Sequence, residues 1–149
     1  MTTRRDGFWN RKLETTSPPT SCEIEIRVRY AEVDKMGVVH HSRFWEYFEM
    51  GRTELLRLGG VTYRDMEDDG ILLMVVACSA KFSAPARYDD LLVLTTRVEE
   101  VGKVKIEHGY ELKRKADGAL VARAKTTLGC ISAEGKIIPL PPSITGAGT

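Results

Sequence analysis

Residues 30–56 read YAEVDKMGVVHHSRFWEYFEMGRTELL, and the fold turns on how this stretch divides. Just upstream, Ile24, Ile26, Val28 and Tyr30 alternate with Glu25, Arg27 and Arg29, the period of two expected of a strand with one buried face. Gly37 breaks that pattern. Ser42 suits the N-cap of a helix over 43–58. In that helix Phe44, Tyr47, Phe48, Gly51, Leu55 and Leu58 share one stripe at spacings of three and four. Gly59-Gly60 ends it. A stripe this wide and aromatic predicts a buried helix. Gly51 at its middle costs about 1 kcal/mol relative to Ala, which predicts that another element packs closely there.

Downstream, 61–69 allows a second short helix, and after Gly70 the chain turns to β structure. Strands are expected over 71–82, 91–101, 104–115 and 119–132, with turns at Gly102-Lys103 and Asp117-Gly118. A short piece over 136–140 follows, and Pro139, Pro141 and Pro142 are expected to end regular structure. The order is strand, long helix, then strands joined mostly by tight turns. That predicts an α+β fold, an antiparallel sheet of five to six strands wrapped around one long central helix. The domain is expected over 23–142, between an N-terminal arm over 1–22 and a flexible Gly-rich tail over 143–149. Phe8 and Trp9 are the only aromatic side chains of the arm.

Composition narrows the function classes. A chain of 149 residues, 42% apolar and 29% charged, is one ordinary globular domain. The formal net charge of +1 gives no global reason to expect nucleic acid or an anionic membrane as partner. Cys22, Cys78 and Cys130 form no CxxC pair. Cys78 and Cys130 lie in apolar runs and read as buried reduced thiols, which predicts a cytoplasmic protein. The longest apolar run, 71–78, is far short of the roughly 20 residues of a membrane span. Arg4-Arg5 is followed by no apolar segment, so no export signal is expected. The histidines are His40, His41 and His108. Neighbouring side chains at a helix start diverge, so neither a metal nor another cofactor is expected.

The stretch Tyr30-Ala-Glu-Val-Asp34-Lys-Met-Gly37-Val-Val-His40-His41, with Glu49 and Arg52 on the helix, resembles the signature of hotdog-fold acyl-CoA thioesterases. It is similar to the 4-hydroxybenzoyl-CoA thioesterase family, in particular its Tol-Pal-associated branch. That signature runs Y-x-x-T-D-x-x-G-x-V-Y-H, then E-x-A-R. A second match, Phe82-Ser-Ala-Pro-Ala-Arg-Tyr-Asp-Asp90, resembles the family's Y-x-A-P-A-x-x-D-D. This chain departs from the pattern at Val33, His40 and Gly51, where the family has Thr, Tyr and Ala.

The resemblance implies a thioester hydrolase acting on acyl-CoA, or on an acyl group held by a carrier protein. Asp34 would serve as nucleophile or as general base for water, and His41 would position water or the acid. The free N–H groups and dipole of the helix start, near His41, would receive the oxyanion. Tyr30, Gly37, Val39, His40, Glu49 and Arg87 would line the substrate site. Arg87, Lys103, Lys105 and Arg123 are candidates for the CoA phosphates. Read without the resemblance, Asp34 is first a turn or cap residue, and Tyr30 is equally a packing residue and Glu49 a salt-bridge or loop-anchoring partner. Asp89 and Asp90 read as shaping the turn after Pro85. The family also implies a homodimer or homotetramer whose subunits join their sheets. Two rivals stand beside this reading. One is a non-catalytic hotdog domain that binds acyl-CoA or a protein partner. The other is an enoyl-CoA hydratase, whose Asp/His spacing this chain lacks.

Overall fold

The computed structural model describes residues 18–146, so Phe8 and Trp9 lie outside the described residues. Five strands form one antiparallel sheet in the order β1-β3-β4-β5-β2. They are β1 (Ser21–Arg27), β2 (Ile71–Phe82), β3 (Leu91–Val101), β4 (Lys105–Arg114) and β5 (Leu120–Ser132). The long helix α1 (Phe44–Leu58) lies against one face of this sheet, and the short α2 (Tyr63–Asp68) follows it. This is the antiparallel sheet with one long helix that the order of elements predicts, and the hotdog architecture that the resemblance implies.

Register decides which residues meet the helix. Ile24 stands opposite Leu94, Leu94 opposite Leu112, and Leu112 opposite Ala122. Alternation then puts Ile26, Leu92 and Tyr110 on the same face. These residues and Phe44, Tyr47 and Phe48 of α1 form the larger buried cluster. A second cluster joins Met66, Ile106, Leu128, Cys130, Leu140 and Ile144 at the other end of the sheet. At Gly51 the backbone of α1 packs directly against β3. A Cβ there would collide with Thr96 Oγ1 and come within 2.7 Å of Leu94 Cδ2, which is the close approach its mid-helix position predicts.

Several expectations are corrected. The first strand ends at Arg27 rather than running to Tyr30. Val28 stays fixed by bonds to Asp89 and Asp90, but residues 30–32 coil into a 3-10 turn and Tyr30 is 77% exposed. Leu58, the last residue of α1, is exposed rather than part of the buried stripe. Cys78 is exposed, since β2 is an edge strand, while Cys130 on the inner β5 is buried. Over 136–140 only an isolated bridge between Ile131 and Ile137 forms. Pro142 starts rather than stops regular structure. It is the first residue of α3 (Pro142–Thr145), where its missing N–H costs nothing, and α3 brings Ile144 into the second cluster.

Candidate active site

The segment between β1 and α1 is short of regular structure, so its backbone groups must find other partners. Val33 and Val39 bridge each other, and Val38 bridges Arg87. The Asp34 N–H donates to Val38 O at 2.9 Å and the Gly37 N–H to Asp34 O at 2.9 Å. Gly37 has φ +77°, a tight turn followed by a left-handed glycine. The Val39 N–H reaches Ala86 O at 2.8 Å and ties this hairpin to the loop before β3. In that loop the Asp90 carboxylate accepts from the Arg87 N–H at 2.8 Å, and Asp89 takes φ 70°. These are the turn-shaping roles expected of both acids.

Two carboxylates stand close together here. Glu32 is 4% exposed. Its oxygens accept from the Tyr47 hydroxyl at 2.8 Å, the Arg29 N–H at 2.8 Å and the Arg29 guanidinium at 3.1 Å. Burial pushes its carboxyl up, but the Arg29 N–H, the Tyr47 hydroxyl and the Arg29 side chain together hold it below its ordinary range. Burial and then the Glu32 carboxylate raise the Tyr47 phenol well above its ordinary value. Asp34 is different. Its Oδ1 accepts from the Met36 N–H at 2.8 Å, and Oδ2 has no hydrogen-bond partner among the described residues. Asp34 borders an open depression with Tyr30, Val33, Lys35, Gly37 and Tyr88. The rings of Tyr30 and Tyr88 meet edge to face at 5.5 Å on its rim.

The helix mouth lies just beyond. His40, and not Ser42, caps it: the His40 Nδ1 accepts from the Ser42 N–H at 3.2 Å and meets the Ser42 hydroxyl at 2.8 Å. A 3-10 turn over His41–Arg43 runs directly into α1. The His41 N–H, first of that turn, makes no hydrogen bond among the described residues, as expected of a first-turn donor. The two imidazoles are exposed and stand 4.3 Å apart with their planes tilted by 30°, rather than diverging as expected of neighbours at a helix start. Neither lines the Asp34 depression.

Of the residues expected to form the site, Asp34, Tyr30 and Gly37 come together in the depression. Val39 is buried beside it in the core. Arg87 is exposed and joined through its backbone to Val38. Glu49 projects from α1, 69% exposed, 3.9 Å from the Arg52 guanidinium, and does not border the depression. Arg123 pairs with Glu111 at 3.1 Å on the sheet's outer face. Among the described residues no group of three or more His, Cys, Asp or Glu could hold a metal ion. No helix there is long and apolar enough to cross a membrane. Sequence reasoning missed Glu32 and Tyr88. Glu32 had a signal: it continues the buried phase of Ile24, Ile26 and Val28 as an acid, and such an acid needs buried donors.

The family model of the thioesterase-like superfamily matches residues 28–148. A putative acyl-CoA thioesterase, YneP of Bacillus subtilis, is 36% identical over 110 residues, covering 74% of this chain and 79% of its own. The acyl-CoA thioesterase YbgC of Haemophilus influenzae is 31% identical over 116 residues, covering 77% and 83%. Among solved structures, Slr0204, a 1,4-dihydroxy-2-naphthoyl-CoA thioesterase from Synechocystis, superposes with a TM-score of 0.78 at 26% identity, covering 85% of this chain and 97% of that one.

Proposed function

From the premise that the chain belongs to the thioesterase-like superfamily and is a thioester hydrolase, we propose that it cleaves acyl-CoA with Asp34 as the reacting carboxylate. One observation carries this reading: Asp34 keeps an uncommitted oxygen on an open depression, in the loop that leads into the helix mouth. That oxygen attacks the thioester carbonyl, or takes a proton from a water that does so. The carbonyl oxygen gathers negative charge and is met by the His41 N–H and the positive end of α1. Collapse of the adduct breaks the C–S bond, and CoA leaves as a thiol after taking a proton. On the direct route a single water then hydrolyses the acyl-aspartyl anhydride, which frees the acid and restores Asp34. His41 supports this through its backbone, and Tyr30 and Tyr88 wall the entrance. The three free thiols fit a reducing, cytoplasmic compartment.

The site is completed by a second copy. β2 ends the sheet, so one side of its backbone is unpaired. Met74, Val75 and Val76 lie on that strand at 49%, 44% and 46% exposure. Antiparallel pairing of β2 with its twin would cover them and close an apolar slot for the acyl chain. Thiol release from a panel of aliphatic and aromatic acyl-CoAs tests the activity, and absence of turnover across the panel overturns it. Light scattering at assay concentration tests the assembly, which an active monomer would contradict. Rising salt should raise KM for an acyl-CoA more than for the same acyl group on N-acetylcysteamine, because nucleotide contacts at the surface are screened. Equal sensitivity points to a carrier-protein substrate.

A further inference from the structure

Far from Asp34, under the C-terminal half of α1, a polar cluster sits inside the fold. We propose that the cavity beside it is a binding site for a small monocarboxylate of about acetate size. The cavity measures about 40 Å³ and is bordered by Arg52, Tyr63 and His108 as well as by apolar side chains that include Leu55, Ile106 and Ile144. One water position needs about 10–15 Å³, so the space holds two or three waters or one carboxylate with a methyl group.

Two observations point to a ligand. His108 is 5% exposed, and its buried Nδ1 has no hydrogen-bond partner. Native proteins rarely leave such a group alone, because its lost hydration is then not replaced by any hydrogen bond. Burial and the nearby Arg52 hold the imidazole down to about 4, so near neutral pH it is uncharged and one of its nitrogens is an N–H donor. Arg52 is the second. Its side chain is 10% exposed, and its carboxylate neighbour, Glu49, lies at 3.9 Å and 69% exposure, a weakly held pair. Tyr110, Tyr63 and Glu49 favour its charged form despite burial, but the phenols are neutral and Glu49 lies out towards solvent, so among the described residues no buried anion pairs with the guanidinium.

The chemistry selects the ligand. One cation matches one negative charge, and the guanidinium fork suits a carboxylate. A phosphate dianion would bury charge that nothing offsets. The apolar wall accepts a methyl or ethyl group and has no room for a ring.

Titration of the full chain with sodium acetate at constant ionic strength, followed by amide shifts in two-dimensional NMR, tests this. Sodium chloride and phenylacetate serve as controls. Saturable shifts at residues 52, 63 and 108, with a dissociation constant of roughly millimolar order, are expected for acetate and for neither control. His108→Phe keeps the ring and removes the nitrogens, and should weaken acetate binding at least tenfold. Arg52→Lys keeps the charge without the fork and should do the same. Non-saturating shifts with acetate, equal shifts with chloride, or undiminished binding in a folded His108→Phe would each overturn the site and leave a cavity filled by water. The wild-type titration decides the matter even where a variant fails to fold.

Discussion

The 3-10 turn that carries Glu32 and the turn that carries Asp34 are separated by Val33 alone, yet they use their carboxylates in opposite ways. Glu32 faces inward, and the Tyr47 hydroxyl and Arg29 hold both its oxygens. It fixes the backbone as well, for the His40 N–H donates to Glu32 O at 3.0 Å. Asp34 faces outward and commits one oxygen to its own turn. A satisfied, buried acid is a poor reactant, since any new bond must first break a good one. A half-satisfied acid at the surface contributes little to stability but can react. The first carboxylate therefore positions the segment that carries the second.

Substitutions can break this division. Asp34→Asn is nearly isosteric but can neither attack nor accept a proton. It should lower kcat by about 100-fold or more and leave the urea midpoint unchanged. Steady-state thiol release together with urea unfolding checks both, and near-normal turnover removes Asp34 from the chemistry. Glu32→Ala should do the reverse in order of cause. It leaves the Tyr47 hydroxyl and the Arg29 N–H unpaired in the interior and should cost about 2–4 kcal/mol of stability. A variant that loses activity with an unshifted urea midpoint would assign Glu32 to the chemistry instead.

His108 extends the contrast to a buried group with a spare nitrogen. Its folded value of about 4 lies below the ordinary 6.5. Between those values the unfolded chain binds more protons, so stability falls as pH drops through that window, by up to about 3 kcal/mol. His108→Phe should flatten this part of the stability–pH curve, measured by urea unfolding from pH 7 to pH 4. The smallest effect is expected from Tyr47→Phe. It removes one of the bonds to Glu32 and should cost about 1 kcal/mol, with kcat/KM nearly unchanged. A large fall in kcat without loss of stability would mean that the Tyr47–Glu32 pair takes part in turnover.

What the residues declare by pattern survives folding well. The bounds of β3, the aromatic stripe of α1 from Phe44 to Leu55 and the turn at Asp34–Gly37 could all be read from periodicity and glycine placement, because each rests on local geometry. What depends on position in the sheet was not legible. Cys78 sits in an apolar run as Cys130 does, and only strand order makes one an edge residue and the other a core residue. The cap on the helix mouth went to His40 because an imidazole nitrogen can accept from the Ser42 N–H as a hydroxyl would. Ile144 looks like part of a loose tail, and only the tertiary contact reveals that it is packed. Of the candidate site, Asp34, Tyr30 and Gly37 were named through the resemblance, and the fold brings them to one depression. Tyr88 was not, since its neighbourhood with Tyr30 depends on a loop some 60 residues away in sequence.

The absent side chain at position 51 constrains how this sequence can change. Every other residue brings a Cβ, and that atom collides with the Thr96 hydroxyl before it touches anything more yielding. Thr96 Oγ1 is itself buried without a hydrogen-bond partner, so trimming it to Ala sacrifices no bond. The two positions are thus coupled in order. Gly51→Ala first should be harmful despite the better helix propensity of Ala, whereas Thr96→Ala first removes the nearer collision and leaves only the Leu94 Cδ2 methyl, 2.7 Å away, to give way. The sequence can move away from glycine here by one route and not by its mirror image, and the sign of a single substitution depends on which of two residues 45 positions apart changed before it.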